Sequence, residues 1–218
     1  MPVTEHNFEQ MRRAMVASQL RTTGVSDPAV LAAMAAVPRE RFVPSDRAGA
    51  AYADAPVAVG NGRYLSPPMA LGKLLNEASP QAGDRALVVG AATGYSAAVL
   101  ARIVGSVVAV EEDPDLVRQA RALLKGQFVE LVQGQLAKGC RKRAPYDLIV
   151  VDGAVEYMPN ALVDQLADGG RLVTGLIEHG VQRLAIGRRV GAAFGMTAFA
   201  DAAVADVPGF AKPAAFSF

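Results

Sequence analysis

A turn of small residues between a β-like run and a helical run is the first stretch that could bind a ligand. The apolar run Ala86–Val89 leads into the turn Gly90–Gly94 (Gly-Ala-Ala-Thr-Gly), and an alanine-rich helical run follows. Glycines let a ligand approach the backbone closely, and the free N–H groups at a helix N-terminus attract polar or charged groups. We therefore predict a ligand site at this turn.

An acid lies at the corresponding end of the next apolar run, since Val107–Val110 is followed by Glu111. In a doubly wound sheet, a carboxylate at the tip of the second strand binds ribose hydroxyls. Gly90 and Gly94 are four positions apart with Ala92 between them, whereas a dinucleotide site requires G-x-G-x-x-G. The shorter spacing favours an S-adenosylmethionine site over a nicotinamide site. The alternative is an ordinary strand-to-helix turn that binds nothing.

The loop over residues 55–68 contains a second candidate residue, Ser66. The Gly-Asn-Gly sequence at residues 60–62 predicts a turn or a flexible loop. Ser66 precedes Pro67, a pair typical of a helix N-cap and first helical position. From these residues alone, a capping role for Ser66 is favoured over a catalytic role.

A third polar position, Asp152, follows the apolar run that predicts the fourth strand. We favour a structural role for it, as a polar cap that bonds the turn at Gly153. The functional alternative is a magnesium ligand, since carboxylates are the ligands that Mg²⁺ prefers. The sequence offers no clear second carboxylate for such a site, so no metal is expected.

Strands and helices alternate from Arg85 onward, which is typical of parallel βαβ units with helices on both faces of a sheet. Two strand-like runs at residues 181–190 and 193–200 then predict a terminal antiparallel hairpin. The predicted fold class is α/β: a Rossmann-like, doubly wound, mostly parallel sheet of seven strands with an antiparallel last strand. The other predicted strands cover residues 85–89, 107–111, 128–132, 147–152 and 170–175, and the helices between them cover 94–104, 114–125 and 159–167.

The first third of the chain is predicted to be helical. The patterns indicate helices over residues 5–22, from an N-cap at Ser26 to Pro38, over 46–52 and over 67–78. We expect residues 1–80, which include the loop carrying Ser66, to pack on a core of residues 81–218. The two parts should form a single compact unit.

The composition argues against several classes of protein. The net charge of the 218 residues is +1, and the short basic cluster at residues 138–143 is typical of a solvated loop, so no nucleic-acid partner is expected. The single cysteine, Cys140, cannot form an intramolecular disulfide, and we expect a cytoplasmic protein. No apolar run reaches the length of about 18 residues that a membrane span needs. The two histidines are far apart, which argues against zinc.

Taken together, several stretches resemble the protein-L-isoaspartate (D-aspartate) O-methyltransferase family, and the likeness covers roughly residues 8–175. The order and spacing of the stretches carry the resemblance. They are Met15–Arg21, Gly24–Leu31, Val37–Pro44, Ala51–Asp54, Gly60–Ser66, Gly90–Tyr95, Ala144–Asp147 and Pro159–Val173.

This resemblance implies a class I methyltransferase fold, S-adenosyl-L-methionine as cofactor, and carboxyl methylation of L-isoaspartyl and D-aspartyl residues in damaged peptides and proteins. It implies a monomer or homodimer and no membrane. Ser66 would be the active-site residue, and Gly62, Arg63, Tyr64 and Leu65 would form the substrate loop. The cofactor would contact Gly90, Ala91, Ala92, Gly94, Tyr95, Glu111, Gln135 and Leu136.

The chemistry makes modest demands on such a site. The acceptor carboxylate is already ionised at neutral pH, so the enzyme has to position the two reactants and exclude water rather than remove a proton. A strong donor to the attacking oxygen would weaken it as a nucleophile. A lone hydroxyl such as that of Ser66 meets this requirement.

Some positions depart from the family pattern. Arg63-Tyr64-Leu65 replaces Gln-Thr-Ile, Val88 replaces an acid in the first strand, and Gln135-Leu136 replaces Asp-Gly. We expect weakened but not abolished cofactor binding, with a dissociation constant no higher than the millimolar range. Two alternatives follow: the same fold with a different small-molecule or peptide acceptor, or a binding protein that has lost catalysis.

Overall fold

The computed structural model describes residues 5–212, and the side chains from residue 7 onward. A two-stranded hairpin precedes a seven-stranded sheet. The hairpin strands are β1 (Val57–Gly60) and β2 (Arg63–Leu65), and the sheet strands are β3 (Arg85–Val89), β4 (Ser106–Glu111), β5 (Val129–Gln133), β6 (Tyr146–Val155), β7 (Leu166–Glu178), β8 (Val181–Val190) and β9 (Ala193–Asp201).

The sheet has the order β5-β4-β3-β6-β7-β8-β9. Strands β3 to β7 run parallel, while β8 pairs antiparallel with both β7 and β9. The predicted α/β class, the seven strands and the terminal antiparallel hairpin are therefore confirmed. Within the sheet, β8 is the strand that runs against the others, and β9 is antiparallel to its one neighbour.

The α-helices lie mostly where the sequence predicts them. They are α1 (Glu5–Ala14), α2 (Pro28–Ala36), α3 (Pro68–Ala78), α4 (Tyr95–Leu100), α5 (Pro114–Leu123) and α6 (Asn160–Val163). The predicted helix over residues 5–22 changes character at Met15–Leu20, which is π-helical, and a 3₁₀ turn follows. The predicted helix over residues 46–52 is a 3₁₀ helix at Ser45–Ala50.

The start of α2 corrects one predicted cap. Asp27, not Ser26, caps this helix, because its carboxylate accepts from the amides of Ala29 (2.8 Å) and Val30 (3.1 Å). The amide of Ser26 donates instead to Asn76 Oδ1 at 2.8 Å. Helix α5 begins as predicted, with Asp113 as its cap.

Apolar residues cover both faces of the sheet, as a buried parallel sheet requires. Because successive strand residues point to opposite faces, Val88 and Ala109 join one apolar cluster while Leu87 and Val110 join the other. The first cluster also contains residues from the helical N-terminal part, including Met34. The division into residues 1–80 and 81–218 stays a prediction.

A segment over residues 204–210, here the C-terminal segment, covers the carboxyl end of β6. The amide of Ala154 donates to the carbonyl of Ala205 at 2.8 Å, and the amide of Val207 donates to the carbonyl of Ala154 at 2.9 Å. Phe210 is buried, so this segment closes over the sheet. Phe216 and Phe218 lie outside the described residues.

We expect Gly153→Ala to displace the C-terminal segment. A Cβ at position 153, where φ is +146°, would lie 2.5 Å from Val207 Cγ2 and 2.6 Å from the carbonyl oxygen of Ala205. Gly209→Ala is the matched control, since φ there is +84° but a Cβ would meet nothing within 4 Å. Gly153→Ala should lower the free energy of unfolding by about 1–3 kcal/mol more than the control, measured by urea denaturation. Equal losses would contradict this account of the contact.

Candidate active site

The hairpin formed by β1 and β2 carries the first side chain of the candidate site. Its two-residue turn places Asn61 (φ 48°) and Gly62 (φ 72°) in the left-handed region, as an Asn-Gly hairpin requires. Because side chains alternate along a strand, Arg63 and Leu65 point inward while Tyr64 is 40% exposed. The inward position at the start of β2 therefore holds an arginine.

The guanidinium of Arg63 forms a buried ion pair with Glu111 at the tip of β4. Arg63 Nη1 lies 2.8 Å from Glu111 Oε1, and Arg63 Nη2 donates to the carbonyl of Gly90 at 3.0 Å. The Glu111 side chain is fully buried, and that of Arg63 is 7% exposed. A Cβ at position 90 would lie 2.9 Å from Arg63 Nη2, so the glycine leaves room for the arginine.

The remaining hydrogen bonds of Glu111 go to the backbone around it. Oε2 accepts from the amide of Ala92 at 2.7 Å, and Oε1 accepts from the amides of Glu112 (2.9 Å) and Asp113 (3.2 Å). Glu111 thus lies beside the glycine-containing turn, as predicted. Its carboxylate accepts three backbone amides in addition to the Arg63 guanidinium.

The amides of the turn are bonded within the protein. The amides of Gly90 and Ala91 donate to the carbonyl of Val110 at 3.0 and 3.1 Å, and that of Gly94 donates to Ala91 at 2.7 Å. With the bond from Ala92 to Glu111, four amides of the turn have internal acceptors. The turn thus folds onto the end of β4, and ligand binding by the N–H groups at the start of α4 stays a prediction.

The residue types at this position suit the S-adenosylmethionine site that the fold implies, but their observed arrangement does not leave the site open. A carboxylate at the tip of β4 beside a turn of small residues is the hydrogen-bond acceptor that ribose hydroxyls need. Here Arg63 donates to that carboxylate from within the site. The residues as arranged do not accommodate the cofactor unless the Arg63 side chain leaves.

Ser66 and Asp152 meet at the carboxyl end of β6. Ser66 Oγ donates to Asp152 Oδ1 at 2.6 Å, across 86 positions of the sequence. The predicted capping role of Ser66 is wrong, because Pro67 takes the N-cap position of α3 and no side chain caps the helix. The favoured role of Asp152 as a cap of the turn at Gly153 is not what the structure shows, since its carboxylate binds this serine.

A shift in strand register explains where Asp152 points. The β6–β7 pairing slips between Val150 and Ala154, and Asp152 lies within that irregularity. Such bulges commonly redirect a side chain at the end of a strand. Across residues 5–212, no group of three or more histidine, cysteine, aspartate or glutamate side chains could hold a metal ion.

Arg39 is a site residue that the sequence analysis missed. This fully buried side chain donates from Nε to the carbonyl of Ala51 (2.6 Å) and from Nη2 to the carbonyl of Ser66 (2.7 Å). Burial lowers the pKa of its guanidinium. No local signal separated it from Arg41, which lies in the same stretch, Val37–Pro44, and is exposed.

Tyr95, assigned to the cofactor by resemblance, packs against this arginine. The Arg39 guanidinium lies 4.7 Å from the centre of the Tyr95 ring, and Phe42 meets the same ring edge-on at 5.6 Å. Burial raises the pKa of the Tyr95 hydroxyl. The contact of Tyr95 with the cofactor stays a prediction.

The remaining predicted cofactor residues follow β5. Gln135 is exposed, and Leu136 is buried in the apolar cluster that includes Val110. Since β5 pairs with β4, these residues lie at the same edge of the sheet as Glu111. Their contact with an adenine stays a prediction.

Comparison with known proteins adds a family to this geometry. The model of the family described as protein-L-isoaspartate(D-aspartate) O-methyltransferase matches residues 11–204. The protein-L-isoaspartate O-methyltransferase 1 of Rhodopseudomonas palustris is 41% identical over 170 residues, which cover 77% of this chain and 69% of that protein. The protein-L-isoaspartate O-methyltransferase of Methanoregula boonei is 39% identical over 186 residues, covering 84% of this chain and 86% of that protein.

A solved structure has the same fold. It is described as a protein-L-isoaspartate O-methyltransferase from Plasmodium falciparum in complex with S-adenosyl-L-homocysteine. The TM-score is 0.73 at 21% identity, and the match covers 88% of this chain and 96% of that one. The likeness extends over the N-terminal part as well as the sheet.

Proposed function

The chain belongs to the protein-L-isoaspartate(D-aspartate) O-methyltransferase family, and from this premise we propose that it methylates the free carboxylate of L-isoaspartyl and D-aspartyl residues in damaged peptides and proteins. S-adenosyl-L-methionine is the methyl donor of this reaction. The observation that carries the proposal is the placement of Glu111, buried at the tip of β4 within 2.7 Å of the Ala92 amide.

Ser66 would orient the acceptor. Its hydroxyl lies at the carboxyl end of the sheet, where ligands of open α/β sheets bind, and one hydroxyl is a modest donor. In the observed arrangement the Ser66 hydroxyl donates its hydrogen bond to Asp152. An acceptor carboxylate therefore has to replace the Asp152 carboxylate as the partner of Ser66. Arg39 holds the Ser66 backbone in place through the carbonyl.

The cofactor contacts are proposals built on the same edge of the sheet. Glu111 would bind the ribose, the turn of Gly90, Ala91, Ala92 and Gly94 the methionine end, and Gln135 with Leu136 the adenine. Tyr95 would also contact the cofactor. The hairpin residues Gly62, Arg63, Tyr64 and Leu65 would cover the substrate.

A second candidate function is binding without catalysis, and one observation favours it. Both ends of the site are satisfied by the chain's own side chains, Arg63 on Glu111 and Asp152 on Ser66. We call this the closed arrangement. A protein that never leaves it would bind no cofactor.

The test is methylation of an isoaspartyl peptide compared with its ordinary aspartyl twin. We expect methyl transfer to the isoaspartyl peptide alone, since the two peptides differ in where the free carboxylate lies. In Ser66→Ala, kcat/KM should fall by about tenfold to hundredfold, because the acceptor loses the donor that orients it.

Thr22→Ala is a control for this measurement, since the exposed Thr22 hydroxyl donates to the Ser18 carbonyl at 2.8 Å, within its own helical segment. Equal methylation of both peptides would indicate a different acceptor. Bound cofactor without turnover on either peptide would leave the acceptor unknown and contradict the isoaspartyl proposal. If no variant binds the cofactor, the result supports the second candidate function, a binding protein without catalysis.

The setting of the enzyme is also a proposal. Residues 5–212 contain no helix with the length and apolarity to cross a membrane, and the one cysteine, Cys140, is free. An enzyme that repairs intracellular proteins would act in the cytoplasm. It would work as a monomer or homodimer on peptide or protein substrates, without nucleic acid.

A further inference from the structure

Arg63 bonds the Glu111 carboxylate, the group that would bind the cofactor in the proposed function. Three hydrogen-bond donors to the carboxylate are backbone amides fixed by the fold at Ala92, Glu112 and Asp113. The fourth donor is a side chain carried by the hairpin over residues 57–65. Only this fourth donor can leave without unfolding the end of β4.

A ribose and a guanidinium make the same kind of bond to this acid. Each can offer hydrogen-bond donors to a carboxylate oxygen, O–H groups in the diol and N–H groups in the guanidinium, and here Nη1 of Arg63 bonds Glu111 Oε1. Both bonds are charge-assisted because the carboxylate is ionised, but only the guanidinium adds an opposite charge, which makes it the stronger competitor. Because the side chain also bonds the Gly90 carbonyl, it lies against the turn where the methionine end would bind.

The hairpin that carries Arg63 is not part of the main sheet. Its two strands pair with each other alone, and the turn at Asn61 and Gly62 is exposed. The turn touches the core through an exposed hydrogen bond of 2.8 Å from Asn61 Nδ2 to Asp113 Oδ2. Val57, Val59 and Leu65 hold the base of the hairpin in the first apolar cluster, so the part free to move is its turn with the Arg63 side chain. That movement would remove the arginine while β3 and β4 keep their pairing.

We propose that Arg63 is an internal competitor of the cofactor: it closes the site by pairing with Glu111, and the nucleoside binds when the hairpin withdraws the arginine. The proposal rests on the proposed function, since it concerns the same acid. An affinity measured for such a protein is the intrinsic affinity reduced by the fraction of molecules in the open arrangement. Removal of the competitor therefore tightens binding.

The experiment is calorimetric titration of the full chain with S-adenosyl-L-homocysteine. Arg63→Gln, which keeps a polar side chain but no charge, should bind at least about tenfold more tightly than the wild type. Arg143→Gln is the matched control, because Arg143 forms an exposed ion pair with Glu130 and should leave the affinity unchanged. Equal or weaker binding by folded Arg63→Gln would overturn the proposal.

A second measurement uses the wild type, in case Arg63→Gln fails to fold. Amide hydrogen exchange is followed with and without S-adenosyl-L-homocysteine. The ligand should slow exchange in the turn over residues 90–94 and speed it in the hairpin over residues 57–65. Slower or unchanged exchange in the hairpin would mean that it closes over the ligand or does not move, and would overturn the proposal.

Failure of this proposal is distinguishable from failure of the proposed function. If the wild type methylates the isoaspartyl peptide and Arg63→Gln binds no more tightly, the competitor role is wrong and the function stands. If neither the wild type nor folded Arg63→Gln binds S-adenosyl-L-homocysteine at millimolar concentrations, both are wrong. Glu111→Gln in the Arg63→Gln protein should weaken binding, which assigns the ligand to this acid.

Discussion

Replacing Glu111 by alanine is expected to lower the free energy of unfolding by about 3–5 kcal/mol, because the Arg63 charge would lose its partner inside the protein. The pair is 2.8 Å long, with side chains 7% and 0% exposed, so water cannot replace the carboxylate in the closed arrangement. The amides of Ala92, Glu112 and Asp113 would lose an acceptor as well. Urea denaturation measures the loss.

Two further variants serve as references for the loss of stability in Glu111→Ala. Glu130→Ala breaks an exposed ion pair with Arg143, side chains 46% and 56% exposed, and should cost at most about 1 kcal/mol. The double variant Arg63→Met with Glu111→Leu should recover part of the stability, since it removes both charges and keeps the volume. A loss in Glu111→Ala no larger than that in Glu130→Ala would show that the hairpin releases Arg63 to solvent at little cost.

Replacing Arg39 by methionine is expected to lower the free energy of unfolding by about 2–5 kcal/mol. Methionine fills much of the volume but leaves the carbonyls of Ala51 and Ser66 without their donors, and each unsatisfied buried group costs about 1–3 kcal/mol. The contact of the guanidinium with the Tyr95 ring is lost too. The substitution also removes the desolvation cost of a buried guanidinium. This gain offsets part of the loss in stability, which is why the range is wide.

Arg41→Met is the matched control, because Arg41 is two positions away and exposed. Its stability should stay within about 0.5 kcal/mol of the wild type in the same urea experiment. In folded Arg39→Met, faster amide exchange around Ser66 would show that Arg39 positions the serine backbone. Unchanged stability and exchange would contradict both roles.

The elements of the sheet were predictable because their signals are local. The predicted starts at residues 85 and 114 coincide with the observed starts of β3 and α5. Long apolar runs that alternate with capped helices leave little choice other than a parallel sheet. The Gly-Asn-Gly sequence predicted only a turn or a flexible loop, and the hairpin that the structure forms around it at residues 57–65 was not predicted.

The inward position of Arg63 could also have been read from the sequence. In a strand, residues two apart share a face, so a buried Leu65 implies an inward residue 63. What no local pattern contains is the partner that meets the arginine there. Alternation along a strand determines the face on which a side chain lies, but not the atoms that it contacts there.

The sequence by itself determined the fold class, the family and the position of an acid at the tip of β4, because each depends on local patterns and on their order and spacing along the chain. Only the tertiary structure decided that this acid pairs with Arg63, 48 positions earlier, and that Ser66 pairs with Asp152, 86 positions later. These pairs form where the hairpin, the strand ends and the C-terminal segment pack together. The geometry of that packing is set by the whole core, so the state of the site could not be read from any single stretch.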